Sequence, residues 1–192
     1  AYSEDSNGNA SGAVYVFDRP AAFGSWANVA INNDTYTKRL VASDGGANTN
    51  YGRDVTISAD GNRIVVGAYN DDTGGTNRGK LSSYDLSNAD ETQWQGTEIS
   101  FQPGDVLAAV PGGGNVIGDS DRLGLRIELG GSGGEWLVAS ADLDDDNGSN
   151  AGAVYIYKLN GAGTAYELQQ KLTAAGTGSS AADAEFGRAV SI

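Results

Sequence analysis

Two patterns of apolar and polar positions recur along the chain. The first is an aromatic residue or Leu, then Gly, then alternating apolar positions: "YGRDVTIS" (51–58), "LGLRIELG" (123–130) and "FGRAVSI" (186–192), in register on Gly52, Gly124 and Gly187. Val55 and Ile57, Ile127 and Leu129, and Val190 and Ile192 fall on one face, the period of a half-buried strand. The second is an acidic, Gly/Asn-rich loop running into small, β-branched and aromatic residues: "AYSEDSNGNASGAVYVF" (1–17), "AYNDDTGGTNRGKLSSY" (68–84) and "ADLDDDNGSNAGAVYIY" (141–157). With Gly12, Gly79 and Gly152 superposed, these segments need no gap. Glu4, Asp71 and Asp144 fall in step, as do Asp5, Asp72 and Asp145, and the aromatics Phe17, Tyr84 and Tyr157.

Between these elements lie "RIVVGA" (63–68) and its counterpart "EWLVASA" (135–141). A fourth element is "TKRLVAS" (37–43) and "LQQKLTAA" (168–175), with its middle copy placed near 93–100. The Asp60-Gly61 pair predicts a two-residue hairpin joining 51–58 to 63–68. Each unit is therefore four antiparallel strands, here A to D, in about 64 residues of the 192. Strands are expected at 12–17, 51–58, 63–68, 79–85, 123–129, 135–140, 152–158, 166–173 and 186–192.

A four-stranded sheet recurring at this length is a propeller blade, so the fold class is all-β. The chain divides into units at 1–50 (strands C and D of a first blade), 51–122, 123–185 and 186–192 (strand A of a next blade), within one propeller-type domain or fragment. That gives eleven strands, too few to close a propeller of ordinary size. The segment 186–192 is expected to be paired on at least one side, and Val14, Val16 and Phe17 to be largely buried. A chain without Met at position 1 is expected to be a processed product or a piece of something longer.

The series of "FG" (186–187), "VVGA" (65–68) and "GAVYVF" (12–17) resembles the FG-GAP repeat of integrin alpha-subunit propellers and many secreted bacterial proteins, over nearly the whole chain. The resemblance implies an extracellular or cell-surface binding or adhesion module rather than an enzyme. In integrin-type repeats a calcium loop lies between strands A and B; here those places hold only "SADGN" and "GGSGGE", and the acids lie between B and C.

Composition narrows the chemistry. Twenty-nine Gly against three Pro suit short strands and tight turns. His and Cys are both absent, which removes thiol catalysis, disulfides, zinc sites and His-based triads. A net charge of −13 argues against nucleic acid and anionic lipid. No apolar run approaches the roughly 20 residues that cross a bilayer, so no membrane insertion is expected.

The acids leave two readings open. Asp142, Asp144 and Asp146, with a Gly148 carbonyl and the Asn150 side chain, stand at alternate positions of a loop, as calcium ligands do. Asp71 and Asp72 offer a weaker version. Equally, Asp and Asn favour loops because their side chains bond their own backbone. The carboxylate pairs Asp119/Asp121 and Asp183/Glu185 lie in Gly- and Ser-rich connections with no apolar wall for acid/base work. Trp136 is expected to fill a blade face, whereas Trp26 and Trp94 are freer to act as surface anchors. The long connections 18–36 and 101–122 are the places to seek a protein or glycan ligand or subunit contacts. The alternative to a binding module is a structural subunit joined to other copies by strand complementation, in an assembly or filament. A propeller enzyme would need carboxylates from further blades.

Overall fold

A computed structural model describes residues 3–5, 8–17, 38–42, 46–85, 99–101, 117–174 and 181–192. Among the described residues, ten strands lie in three antiparallel sheets. β1 (Val14–Val16) pairs with β2 (Lys38–Leu40). β3 (Asp54–Ile57), β4 (Arg63–Ala68), β5 (Lys80–Asp85) and β6 (Ile99–Phe101) form a four-stranded meander. β7 (Leu123–Gly130), β8 (Trp136–Ala141), β9 (Ala153–Leu159) and β10 (Tyr166–Thr173) repeat it. The architecture is all-β, with sheets stacked as partial propeller blades.

A short strap joins each sheet to the next, and its hydrogen bonds repeat three times. The N–H groups of Tyr51, Leu123 and Phe186 donate to the carbonyls of Ser11, Arg78 and Ala151 at 3.1, 2.9 and 2.9 Å. Those of Asn48, Ser120 and Asp183 donate to Asn9, Thr76 and Ser149 at 2.7, 2.7 and 2.8 Å. The strap forces a tight path. Among the described residues, every non-Gly residue with a left-handed backbone falls into one of three equivalent sets: Ala10, Asn77 and Asn150; Asn48, Ser120 and Asp183; Asn50, Arg122 and Glu185. Gly79 shows why the aligned glycine is needed. Its φ is +83°, and a Cβ there would run into the Leu123 backbone, as one at Gly12 or Gly152 would into Tyr51 or Phe186.

Alternation along the central strands gives each sheet two packing faces. Ile64, Val66 and Ala68 of β4 join Val14, Leu40, Tyr51 and Tyr84 in the core between the first two sheets. Val65 and Leu81 turn the other way, onto Ile127, Leu137 and Tyr155 of the third sheet. Each fully buried Leu or Val contributes about 1.5–3 kcal/mol. The innermost strands meet through side chains: the N–H groups of Ile127 and Leu129 donate to Asp54 Oδ2 at 2.9 Å and Thr56 Oγ1 at 3.1 Å. An otherwise open strand edge is thereby capped.

Four sequence expectations change. The segment 186–192 keeps the strap bond of Phe186 but forms no strand. β3 and β7 are held as strands by pairing with β4 and β8, and the strap alone does not impose that conformation. Val14 is buried, whereas Val16 and Phe17 are only half-buried; Val16 packs at the margin of the core that Val14 enters. The hairpin after β3 is longer than two residues: Ser58 N–H bonds the Arg63 carbonyl, leaving four residues between them. Asp60 sets that turn by accepting from the Ser58 hydroxyl at 2.6 Å and the Asn62 N–H at 3.0 Å. Trp136 opens β8 and is 37% exposed, with the Lys158 ammonium 5.3 Å from its ring, so it does not fill a core. Its sheet face points away from the second sheet, where Leu137 and Ala139 are buried instead. Trp26, Trp94, and the connections 18–36 and 102–116 lie outside the described residues.

Candidate functional site

The acidic loops between strands B and C are the most polar feature that the fold repeats, and their backbone course explains the aligned acids. The carbonyls of Glu4, Asp71 and Asp144 accept from Gly12, Gly79 and Gly152 at 2.9, 3.0 and 2.9 Å. Those of Asp5, Asp72 and Asp145 accept from Gly8, Gly75 and Gly148 at 3.2, 3.1 and 3.1 Å. Side chains add caps. Asp5 Oδ1 and Asp72 Oδ1 each accept at 2.7 Å, from the N–H of Ala10 and Asn77. Asp71 Oδ1 accepts from the Thr73 N–H at 2.8 Å. Asp71 and Asp72 thus turn carboxylate oxygens to their own loop, the role short acidic side chains play in turns.

In the third loop the five calcium candidates do not converge. Asp144 is fully buried; its Oδ1 accepts from the Asp146 N–H at 3.2 Å and its Oδ2 from the Tyr155 hydroxyl at 2.6 Å. Lys171 of β10 puts its ammonium 2.7 Å from Asp144 Oδ2 and 2.6 Å from Asp146 Oδ2. Asp142 is buried and faces Arg188, whose Nε is 3.8 Å from its Oδ2. The Gly148 carbonyl accepts the Ala151 N–H at 2.9 Å, and the Asn150 amide donates to Asp183 at 3.0 Å. Among the described residues, no three acidic side chains are grouped to hold a metal ion. Calcium needs six to eight oxygens, and this arrangement does not fit it.

Sequence reasoning passed over Lys171 as a partner of Asp144 because the two lie on different elements. A signal was present: "KRL" (38–40) and "QKL" (170–172) align, and Arg39 bonds Glu4, the residue in step with Asp144.

The carboxylate pairs are also engaged. Asp119 accepts from Arg78 Nε at 3.2 Å, and Glu185 pairs with Arg188 at 2.7 Å. Asp121 is buried, with Oδ2 accepting the Gly118 N–H and Oδ1 left without a partner. Burial pushes its carboxyl up to about 7, helped by the Asp144 and Asp145 charges and opposed by the Gly118 N–H and Lys171. Burial likewise raises Asp142, against the pull of Arg122 and Arg188. The loss of water outweighs the cations at both. The hydroxyls of Tyr155, Tyr157 and Tyr166 are raised by the same cause and stay protonated.

Comparison with protein-family models matches residues 35–84 to the FG-GAP repeat. The chain carries an FG-GAP repeat. The match covers about a quarter of the chain and runs from strand D of the first unit through strands A, B and C of the second. The same strap and loop bonds recur in the third unit. A search of curated proteins finds no match. No helix among the described residues is long and apolar enough to cross a membrane.

Proposed function

We propose that this chain is a non-catalytic, FG-GAP-type propeller module that presents recognition loops at a cell surface or outside the cell. One observation carries the reading: five of the six carboxylates that the repeat aligns are spent on holding the scaffold. Glu4 pairs with Arg39, Asp144 with Lys171, and Asp5, Asp71 and Asp72 cap their own loops. A frame fixed in this way suits loops that vary in sequence and length, as 18–36 and 102–116 do, and its ligand is a protein or glycan. The FG-GAP repeat supports the module and its surface location. The test is binding of the purified chain to a glycan array and to extracellular proteins, with and without 18–36 replaced by an Asn-Gly turn. Binding that disappears in the shortened chain at unchanged melting temperature is expected. A shortened chain that binds the same ligands equally well overturns the assignment of recognition to that loop.

A second reading, association with other copies, is favoured by apolar residues exposed on β3 of the middle sheet and beyond the third sheet. Val55 and Ile57 on β3 are 47% and 54% exposed, and Phe186 and Ile192 are 37% and 52% exposed beyond the third sheet. Between the second and third sheets, the equivalents of Val55 and Ile57 are the buried Ile127 and Leu129. A mass measurement in solution that rises with concentration, and ceases to rise in Val55→Asp/Ile57→Asp, supports this reading; a monomer at all concentrations overturns it.

A further inference from the structure

The third acidic loop encloses a cation supplied by the chain itself. Lys171 stands on β10 in register with Tyr155 of β9. Its side chain is 6% exposed, and its ammonium touches Asp144 and Asp146 together. Tyr155 lines the same space: its hydroxyl donates to Asp144 Oδ2, and its ring centroid is 5.2 Å from Lys171 Nζ. Two carboxylates and an aromatic face thus surround one desolvated positive charge.

The first unit places a cation at the equivalent position. Arg39 of β2 is in register with Tyr15 of β1, and its Nη2 lies 2.8 Å from Glu4 Oε2. The second unit departs from it, because Ser82 of β5 stands in register with Ser100 of β6. A cation opposite a strand-C tyrosine therefore accompanies the loop acid in two units out of three.

We propose that the Lys171 ammonium is the resident cation of the third loop, taking the place a divalent ion would need and making that loop independent of calcium. A calcium ion approaching Asp144 and Asp146 would have to evict a buried ammonium and shed its own water. In return it would gain two carboxylates, while Gly148 and Asn150 are turned elsewhere. The exchange is unfavourable as long as the lysine is present. Removing the lysine reverses the balance, since two carboxylates, one of them fully buried, are then left to share a space with no counter-ion.

The experiment compares melting temperatures in millimolar calcium and in chelator, alongside tyrosine-sensitised terbium luminescence, which reads a lanthanide held close to Tyr155. The wild-type chain is expected to melt at the same temperature in both buffers and to give no such emission. Lys171→Ala is expected to melt about 10 °C lower in chelator, to recover part of that loss in calcium, and to gain terbium emission. Should Lys171→Ala fail to fold, Lys171→Met and Lys171→Met/Asp144→Asn decide the matter. The double variant removes both charges and is expected to melt above the single one. A wild-type melting point that climbs with calcium, and stops doing so in Asp144→Asn, overturns the proposal. So does a Lys171→Met chain as stable as wild type in chelator, or a folded Lys171→Ala chain blind to both calcium and terbium.

Discussion

Replacing Asp121 by Asn is expected to remove a pH-dependent weakness of the fold. Asp121 is 2% exposed, and its Oδ1 has no hydrogen-bond partner. Its carboxyl is pushed up to about 7 from the ordinary 3.8, with burial as the main cause. The folded state therefore holds this proton more tightly than the unfolded chain does. Between pH 4 and 7 the unfolded chain releases the proton and the folded chain keeps it, so stability declines as pH rises through that window. Above pH 7 both states are ionised and the penalty is complete. A rise of about three pH units corresponds to roughly 4 kcal/mol.

Asn carries no proton to lose. Its carbonyl oxygen keeps the bond from the Gly118 N–H, and its amide places a donor among the neighbouring carboxylates. The two chains should be similarly stable near pH 4.5, with Asp121→Asn more stable by about 2–4 kcal/mol at pH 8. Urea denaturation at half-unit pH steps measures this as a difference in midpoint, which cancels the slope both chains share from their acidic charge. Asp142, raised in the same direction, leaves some slope in the variant. Midpoints that run parallel from pH 4.5 to 8 would refute the reasoning, because a buried, rarely ionised carboxyl at 121 requires them to diverge.

Further expectations follow from the straps and the stacking. Gly79→Ala places a side chain in the Leu123 backbone at a left-handed φ, and should cost about 3 kcal/mol or more by urea denaturation; a loss under about 1 kcal/mol would show that the strap yields easily. Ile127→Thr should cost about 2–4 kcal/mol, whereas Val55→Thr, at the equivalent but exposed place on β3, should stay within about 0.5 kcal/mol; equal losses would contradict the difference in burial. Arg63→Met removes a buried guanidinium that reaches Asp85 at 2.9 Å, Ser83 at 3.3 Å and the Gly163 carbonyl of the next sheet at 3.2 Å, and should lower the urea midpoint by about 2 kcal/mol.

Most of the strand order was legible because the repeat fixes it three times over. Gly12, Gly79 and Gly152 aligned without gaps, and the structure gives the cause: at each, a neighbouring backbone passes where a Cβ would sit. The acids aligned as well, but the sequence could not say that Asp71 and Asp72 turn inward to cap their own loop. Alternate spacing is shared by metal loops and by self-capped turns, and only the positions of the N–H groups separate them. Left-handed residues were half legible. Asn48, Asn50, Asn77 and Asn150 are types that tolerate a positive φ, while Arg122, Ser120 and Glu185 give no such sign. Lys171 was the costliest omission, because a contact between a loop and the last strand of its sheet depends on register.

The segment 186–192 separates two effects that coincide elsewhere in the chain. At 51–57 and 123–130 the strap and the A–B strand pairing occur together, so neither can be credited alone with positioning the strand. At 186–192 the strap is complete: Asp183, Glu185 and Phe186 bond Ser149, Asn150 and Ala151, with Glu185 in the same left-handed conformation as Asn50 and Arg122. Gly187 packs against Val154 and the Ala153 carbonyl, as Gly52 packs against Val14 and the Ala13 carbonyl. Ile192 reaches Gly130 of the preceding strand. Yet no strand forms, and Ile192 is 52% exposed where Leu129, its equivalent, is buried. The strap therefore sets where a unit begins and in which direction its chain leaves. At 51–57 and 123–130 strand conformation accompanies pairing with β4 and β8, and pairing alone does not bury the face, since Ile57 on β3 is 54% exposed. Each unit here is aimed by the strap bonds it makes to the unit before it.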